Sequence, residues 1–405
     1  MSCPKRFSAL LADEIRALGY TVTAEWITGV RLKGSLADTM RLNLHLRTAT
    51  RVLFLLKEFK AGTADDLYAA LSEIPWEEYI DENGYMSVVS SVDTYAIRDS
   101  MFANVRVKDA IVDRLRELTG KRPDSGAERI GAVVFLYWKD ETCAVYIDTS
   151  GEPLSRRGYR KIPWKAPLQE TLAAAIILST GWKGEGNLIN PMCGSGTLGI
   201  EAILIALGRA PGISRTNFAF EHLKGFDESA WKALRKEARD AAARTLEGKV
   251  ILSDIHEHAI FAARKNATTA GVDHLIEFVT GDFSETPIPE GGGIIVLNPE
   301  YGERLGDERK LESTYAAIGD FFKQKCSGYR GYIFTGNPVL AKRIGLRSSR
   351  KIPLFNATID CRLLEYELYA GTRKRFGDDG TAGRAGLRDD ESEGGIDNPE
   401  ADTSE

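Results

Sequence analysis

The sequence predicts an α/β chain: a mixed α+β N-terminal half, then a doubly wound, mostly parallel sheet closed by an antiparallel hairpin. Three observations carry this. From residue 167 onward, strand-like apolar runs alternate with helical periods. The turn after the first of those strands holds Gly194, Gly196 and Gly199 and opens a helix. The last apolar stretch, "KIPLFNATIDCRLLEYELYAG", contains two strands and a short turn but no helix, which implies an antiparallel pair at one sheet edge.

At 405 residues the chain has room for several cores. The boundaries read as 1–62, a small N-terminal part; 63–150, a second α+β part; 151–166, a linker; 167–376, the parallel-sheet domain; and 377–405, an acidic tail. No run approaches the ~20 apolar residues of a membrane span. The start lacks a signal-peptide core, so a cytoplasmic protein with no membrane partner is expected. The five cysteines are scattered singly, without a metal-ligand or redox spacing. The net charge of −5 is a tail effect: from Gly377 on there are ten acids and two arginines, or −8, leaving −5 − (−8) = +3 for the body. Rich in Gly, Asp, Glu and Ser, that tail reads as disordered.

In order along the chain, "FSALLADEIRALGY" repeats its apolar residues at helical spacing, and "TAEWITGVRLKGS" alternates like two strands and a turn. "TADDLYAALSEI" opens on Thr63 with acids just behind it, a capping signature. "GYMSVVSSVDTYA" is strand-like. "VRVKDAIVDRLRELTGKRP" reads as a helix with Ile111, Leu115 and Leu118 inward, stopped by Gly120 and Pro123. "AVVFLYWKDETCAVYIDTS" is a hairpin turning at Lys139–Thr142.

The connector "SGEPLSRRGYRKIPWKAP" interleaves Arg156, Arg157, Arg160, Lys161 and Lys165 with Tyr159 and Trp164. Cations between aromatics suit a nucleic-acid backbone and its bases; a solvated linker with two anchoring rings is the plainer alternative. Pro167 fits the first turn of a helix carrying Leu168, Leu172 and Ile176. Strand "GNLIN", helix "TLGIEAILIALG", strand "KVILSDI", helix "EHAIFAARKNATTAG", strands "IEFVTGD" and "GGIIVLNPE", helix "STYAAIGDFFKQKC" and strand "GYIFTG" follow.

Ligands of such sheets bind at the carboxyl ends of the strands. There, glycines let a ligand approach the backbone, and the following helix N-terminus offers free N–H groups. A dinucleotide site wants an acid about 20 residues on; Glu221 is near that distance, but Asp254 ends the clearer strand and Asp282 the next. Two acids at successive strand ends suit an adenosine with no second nucleotide, as in S-adenosylmethionine; a helix N-cap is the plainer use of each. "IIVLNPEYGERL" ends a fourth strand. The Asn298 amide oxygen and Pro299 carbonyl can accept hydrogen bonds from an exocyclic base amine and aim its lone pair at a methyl group, while Tyr301 stacks on the base.

With these residues in place, the chain resembles the THUMP-domain class I RNA guanine-N2 methyltransferases, which include bacterial large-subunit ribosomal RNA and tRNA enzymes. The resemblance runs through "SGEPLSRRGYR", "APLQETLAAAIIL", "NPMCGSGTLGIEA", "SDI", "GDF", "NPEYGERL" and "LFNATIDCRLLEYEL", and less sharply through "TADDLYAALSEIPWEEY" and "FANVRVKDAIVDRLRE". It implies ferredoxin-like and THUMP parts that bind structured RNA, and a Rossmann-like methyltransferase domain. It places Asn190, Pro191, Cys193, Gly194, Gly196 and Thr197 at the methionine part of S-adenosylmethionine, Asp254 and Ile255 at the ribose, and Asp282 and Phe283 at the adenine. Asn298, Pro299 and Tyr301 hold the target guanine, and Arg156, Arg157, Tyr159, Arg160 and Lys108 serve RNA; no metal is required. Two departures stand out: Glu300 replaces the second proline of the usual Asn-Pro-Pro-Tyr turn, and Asn190 stands where an acid is common. The expected reaction is methylation of a guanine N2 amine in 23S rRNA. A tRNA guanine is the alternative target, and an NAD(P)-dependent oxidoreductase or a non-catalytic RNA-binding protein the alternatives from other classes.

Overall fold

A computed structural model describes residues 1–97, 99–302 and 308–369; the predicted acidic tail lies outside them. The N-terminal half runs α1 (Ser8–Ala17), β1 (Val22–Trp26), β2 (Gly29–Leu32), α2 (Asp38–His45), β3 (Leu53–Lys60), α3 (Ala64–Ser72), β4 (Tyr85–Asp93), α4 (Ser100–Thr119), β5 (Asp124–Ser125), β6 (Ala132–Lys139) and β7 (Thr142–Asp148). β1 and β2 form an antiparallel pair, and the rest a five-stranded sheet ordered β3-β7-β6-β4-β5. The capping signature holds: Thr63 and Asp66 form a reciprocal box at the start of α3. The hairpin turns where expected, with Lys139 opposite Thr142. Leu118 departs from expectation. It is 56% exposed on α4, while Ile111 and Leu115 are buried, because the apolar face of that helix ends one turn before Gly120 closes it in a left-handed conformation.

The C-terminal half runs α5 (Glu170–Thr180), β8 (Asn187–Pro191), α6 (Thr197–Ala206), α7 (Glu228–Asp240), β9 (Val250–Asp254), α8 (Glu257–Ala270), β10 (Ile276–Thr280), β11 (Gly293–Leu297), α9 (Glu308–Lys325), β12 (Tyr329–Thr335), α10 (Pro338–Arg343), β13 (Arg350–Asn356) and β14 (Ile359–Glu367). Its sheet is ordered β10-β9-β8-β11-β12-β14-β13. The first five are parallel, and β14 lies antiparallel between β12 and β13, so the terminal pair closes the edge as predicted. Every residue of β8 and β9 is buried, as continuous apolar strands covered on both faces must be. The chain order reverses between β8 and β11, which opens a crevice at their carboxyl ends. Pro167 lies outside α5, whose N-cap is Gln169, so the helix begins one turn later than the sequence suggested.

The connector corrects the expectation for RNA contact. Arg157 and Tyr159 are each 1% exposed. The Tyr159 hydroxyl donates to Glu201 Oε1 at 2.9 Å, and Arg157 Nε lies 3.5 Å from the same oxygen. Arg157 also donates to the carbonyls of Leu154 (2.7 Å) and Arg47 (2.5 Å). A buried carboxylate on α6 therefore draws these side chains inward, because a buried charge needs a partner. Arg160 is also committed to the protein, reaching the Leu168 carbonyl, Thr197 Oγ1 at 3.0 Å and Glu170 at 3.4 Å. Arg156 stays outside, paired with Glu152 at 2.6 Å. Lys108 is half-exposed on α4, 3.2 Å from Asp109.

Further buried polar groups join the two halves along this seam. Arg47 donates to the carbonyls of Leu204 and Arg209 at 3.1 and 2.8 Å. Arg215 donates to those of Ser150, Glu152, Pro153 and Arg156 at 2.9–3.1 Å. Burial lowers the Arg215 pKa to about 10; four carbonyl acceptors offset its lost hydration.

Candidate active site

The crevice is lined first by the turn after β8. Cys193 N–H donates to the Ser253 carbonyl at 2.9 Å, tying the turn to β9. Gly194 and Gly196 have φ of +54° and +81°, a region that favours glycine. A Cβ on Gly196 would stand 2.9 Å from that of Ala263, so the turn packs directly on α8. Thr197 opens α6, and its hydroxyl accepts from Arg160.

Asp254 ends β9 beside this turn. Oδ2 accepts from Gly194 N–H and Oδ1 from His256 N–H, each at 3.0 Å. A carboxylate has about four lone-pair sites, so both oxygens keep capacity for a vicinal diol. Ile255, next along, is 62% exposed. A large apolar side chain turned outward at a ligand edge offers a face to a flat ring. Asp282 follows β10 and is itself exposed; its Oδ1 caps a short turn by accepting from Ser284 N–H (2.9 Å) and Oγ (2.6 Å). Here the plainer N-cap role is realised, and it fixes the carboxylate's direction. Phe283 is held edge-on by Phe321, centroids 5.9 Å apart. The structure brings Asp254, Ile255, Asp282 and Phe283 to adjacent strand ends, an arrangement that can hold a nucleoside.

Two amide oxygens stand out. Asn190, at the end of β8, donates Nδ2 to the Val296 carbonyl at 2.8 Å, bridging β8 and β11. Its Oδ1 is buried with no hydrogen-bond partner among the described residues, and so is Oδ1 of Asn298 beyond β11. Each unsatisfied buried acceptor carries a desolvation cost of about 1–3 kcal/mol. Two of them, at the ends of the strands that flank the crevice, are the polar complement of a donor-bearing ligand. Burial, then the nearby Asp254 charge, push the Cys193 thiol well up, so it is neutral here.

Pro299 is buried, Glu300 exposed and Tyr301 half-buried. The Tyr301 hydroxyl accepts from Asn356 Nδ2 at 2.7 Å, and its ring stands at 85° to Phe334. With the Glu300 side chain directed to solvent, the departure at this position leaves the Asn298 acceptor untouched.

Sequence reasoning missed three supporting residues. Asn356 and Phe321 act from distant elements and carry no local signature. Asn266 on α8 accepts from the N–H groups of Lys161 and Ile162 (2.8 and 3.0 Å) and donates to the Ile162 and Ser195 carbonyls, strapping the connector over the glycine turn. A buried Asn on the inner face of a helix was the available signal. Trp164, open in the sequence between a base-stacking ring and a linker anchor, lies over this turn: its Cδ1 is 4.0 Å from where a Gly194 Cβ would stand.

Residues 157–365 match the family UPF0020, described as the RMKL-like methyltransferase domain. Residues 1–53 match the RlmL ferredoxin-like domain, and 61–148 the THUMP domain. The chain is 41% identical over 377 residues to the ribosomal RNA large subunit methyltransferase K/L of Syntrophotalea carbinolica, covering 91% of this chain and 53% of that protein. It thus spans about half the length of the relatives of that name. It is 35% identical over 361 residues to a Synechocystis protein named as an RNA methyltransferase, covering 89% and 94% of the two chains. Among solved structures, the methyltransferase SMU.472, crystallised with SAH, superposes with a TM-score of 0.82 at 27% identity over 92% of this chain and 98% of that one. The strand-end acids, the glycine turn and the Asn-Pro-x-Tyr turn thus sit in the expected domain, and the chain belongs to the RMKL-like methyltransferase family, with ferredoxin-like and THUMP domains ahead of its methyltransferase domain.

Proposed function

We propose that this protein transfers a methyl group from S-adenosylmethionine to the N2 amine of a guanine in large-subunit ribosomal RNA. The observation that carries the reading is the orphaned, buried Asn298 Oδ1 beside Pro299 and Tyr301, at the strand end next to the Asp254 crevice. An exocyclic amine is a poor nucleophile because its lone pair is delocalised into the ring. Accepting its two hydrogens at Asn298 Oδ1 and the Pro299 carbonyl draws the nitrogen toward tetrahedral geometry and fixes the lone pair's direction. Tyr301 supplies a stacking face worth ~1–3 kcal/mol.

Asp254 takes the ribose hydroxyls, Ile255 and Phe283 flank the adenine, and Asp282 accepts from its amine. Asn190 Oδ1 accepts from the ammonium, and the turn at Cys193–Thr197 holds the methionine part. When bound, the cofactor supplies a sulfonium-activated methyl group; the chain's work is placement and exclusion of water. The relatives' names and the THUMP domain support a ribosomal target. The dinucleotide alternative loses support because Glu221 lies in a short helical turn, Ala219–His222, away from any strand end.

The test is mass-spectrometric mapping of nucleosides in ribosomal and transfer RNA from cells with and without the protein, alongside Asn298→Ala. Loss of one N2-methylguanosine in large-subunit RNA, and a fall of about a hundredfold or more in transfer rate with S-adenosylmethionine binding kept, is expected. A missing methylation in tRNA, or on adenine N6, would reassign the substrate.

A further inference from the structure

The exposed half of the connector meets one face of α8 beside the cofactor crevice. Trp164 lies nearly parallel to His258, ring planes 14° apart and centroids 6.2 Å apart, and touches His256 at 5.8 Å. Lys165 Nζ stands 5.8 Å from the Trp164 ring. His258 and Phe261 are three apart on α8, hence on one face. Phe261 is 53% exposed, and Lys265 Nζ lies 5.7 Å from its ring. The outcome is a strip of Lys165, Trp164, His258, Phe261 and Lys265, exposed except at the half-buried Trp164. Lys165 and Lys265 are the cations set against its rings, and Glu257, four residues before Phe261, shares that face of α8.

Nothing in the fold requires Phe261 outside: α8 packs through Ala259, Ile260, Ala262, Ala263, Asn266 and Ala267. Rings that alternate with ammonium groups match single-stranded nucleic acid, in which stacked bases alternate with phosphates.

We propose that this strip is a stacking platform for single-stranded RNA flanking the target nucleotide, outside the THUMP domain. The proposal rests on the reading of the chain as an RNA methyltransferase. The flanking bases lie on Trp164, His258 and Phe261, and their phosphates meet Lys165 and Lys265. The connector that carries Trp164 is strapped to the glycine turn through Asn266, which bonds Lys161, Ile162 and Ser195, so the platform begins where the cofactor site ends.

Fluorescence anisotropy of the full chain with a short labelled oligouridine tests this. Phe261→Ala is expected to weaken binding about fivefold or more. Phe261→Tyr, which keeps a ring, is expected to restore it. Lys265→Ala is expected to reduce the slope of log affinity against log salt by about 0.7. Wild-type affinity in both Phe261→Ala and Lys265→Ala overturns the platform, as does a wild-type chain that ignores oligouridine. S-adenosylmethionine titration of the same variants separates the two readings. Unchanged cofactor binding with weakened RNA binding supports the platform. A chain that binds oligouridine through Phe261 yet neither binds S-adenosylmethionine nor transfers methyl groups retains the platform and loses the proposed function.

Discussion

The Tyr301 hydroxyl accepts a 2.7 Å hydrogen bond from Asn356, a residue 55 positions later at the tip of the terminal hairpin. The antiparallel edge thereby holds the ring that ends the Asn298–Tyr301 turn. Tyr301→Phe keeps the ring and loses the bond, so transfer should fall only a few-fold. Tyr301→Ala loses the stacking face and should raise the KM for RNA about tenfold or more. Asn356→Ala should follow Tyr301→Phe. Steady-state kinetics with the RNA varied checks the ranking, and equal effects of Phe and Ala at 301 would contradict a stacking role.

Asn190 illustrates how an amide fits a strand end where the family resemblance leads one to expect an acid. Its Nδ2 donates to Val296, so Asn190→Asp sets a carboxylate oxygen against a carbonyl inside the sheet. The ligand-free variant should lose about 1–3 kcal/mol. Thermal melts with and without S-adenosylmethionine should show a larger ligand-induced rise than in wild type, because the ligand's ammonium neutralises the new charge. An identical rise in both proteins would separate Asn190 from the cofactor.

Arg157, Tyr159 and Glu201 form a buried cluster, and breaking it strands a charge. Glu201→Ala should cost about 3–5 kcal/mol, seen as a lowered denaturation midpoint. Arg157→Met with Glu201→Leu should recover much of that loss. RNA affinity per folded molecule should be unchanged in the double variant; a selective loss there would return Arg157 to RNA contact.

All five cysteines are free and buried. Burial pushes Cys3, Cys143 and Cys326 up to about 12 from an ordinary 9.0, and raises Cys193 and Cys361 as well. Native protein at pH 8 should therefore react slowly with Ellman's reagent, and denatured protein should show five rapid equivalents. The sign of the linkage follows: thiols protonated in the fold and ionised when unfolded make stability fall as pH rises from about 9 toward 12. A rapid single equivalent in the native protein would contradict this.

What the sequence disclosed was what local rules determine. Strand–helix alternation, the glycine turn, the Thr63 box and the edge hairpin each need only neighbours a few residues away. The placement of Asp254 and Asn298 at strand ends was legible because strand ends converge in any sheet of this kind. Arg157 and Tyr159 were misplaced because the side a connector turns inward is decided by Glu201, over forty residues on. Leu118 was misplaced because periodicity extends past the last turn that packing covers. Asn356 had no signature at all, since its role exists only once β13 folds back on the sheet.

The seam through Arg47, Arg157 and Arg215 has a consequence for choice of target. It is built from guanidinium groups clasping backbone carbonyls, largely away from water. An RNA gripped by the front of the molecule is thus presented to the turn at Asn298 at a span set during folding. On the proposed reading the protein works as a caliper, and the nucleotide selected is the one lying at that separation along the folded RNA.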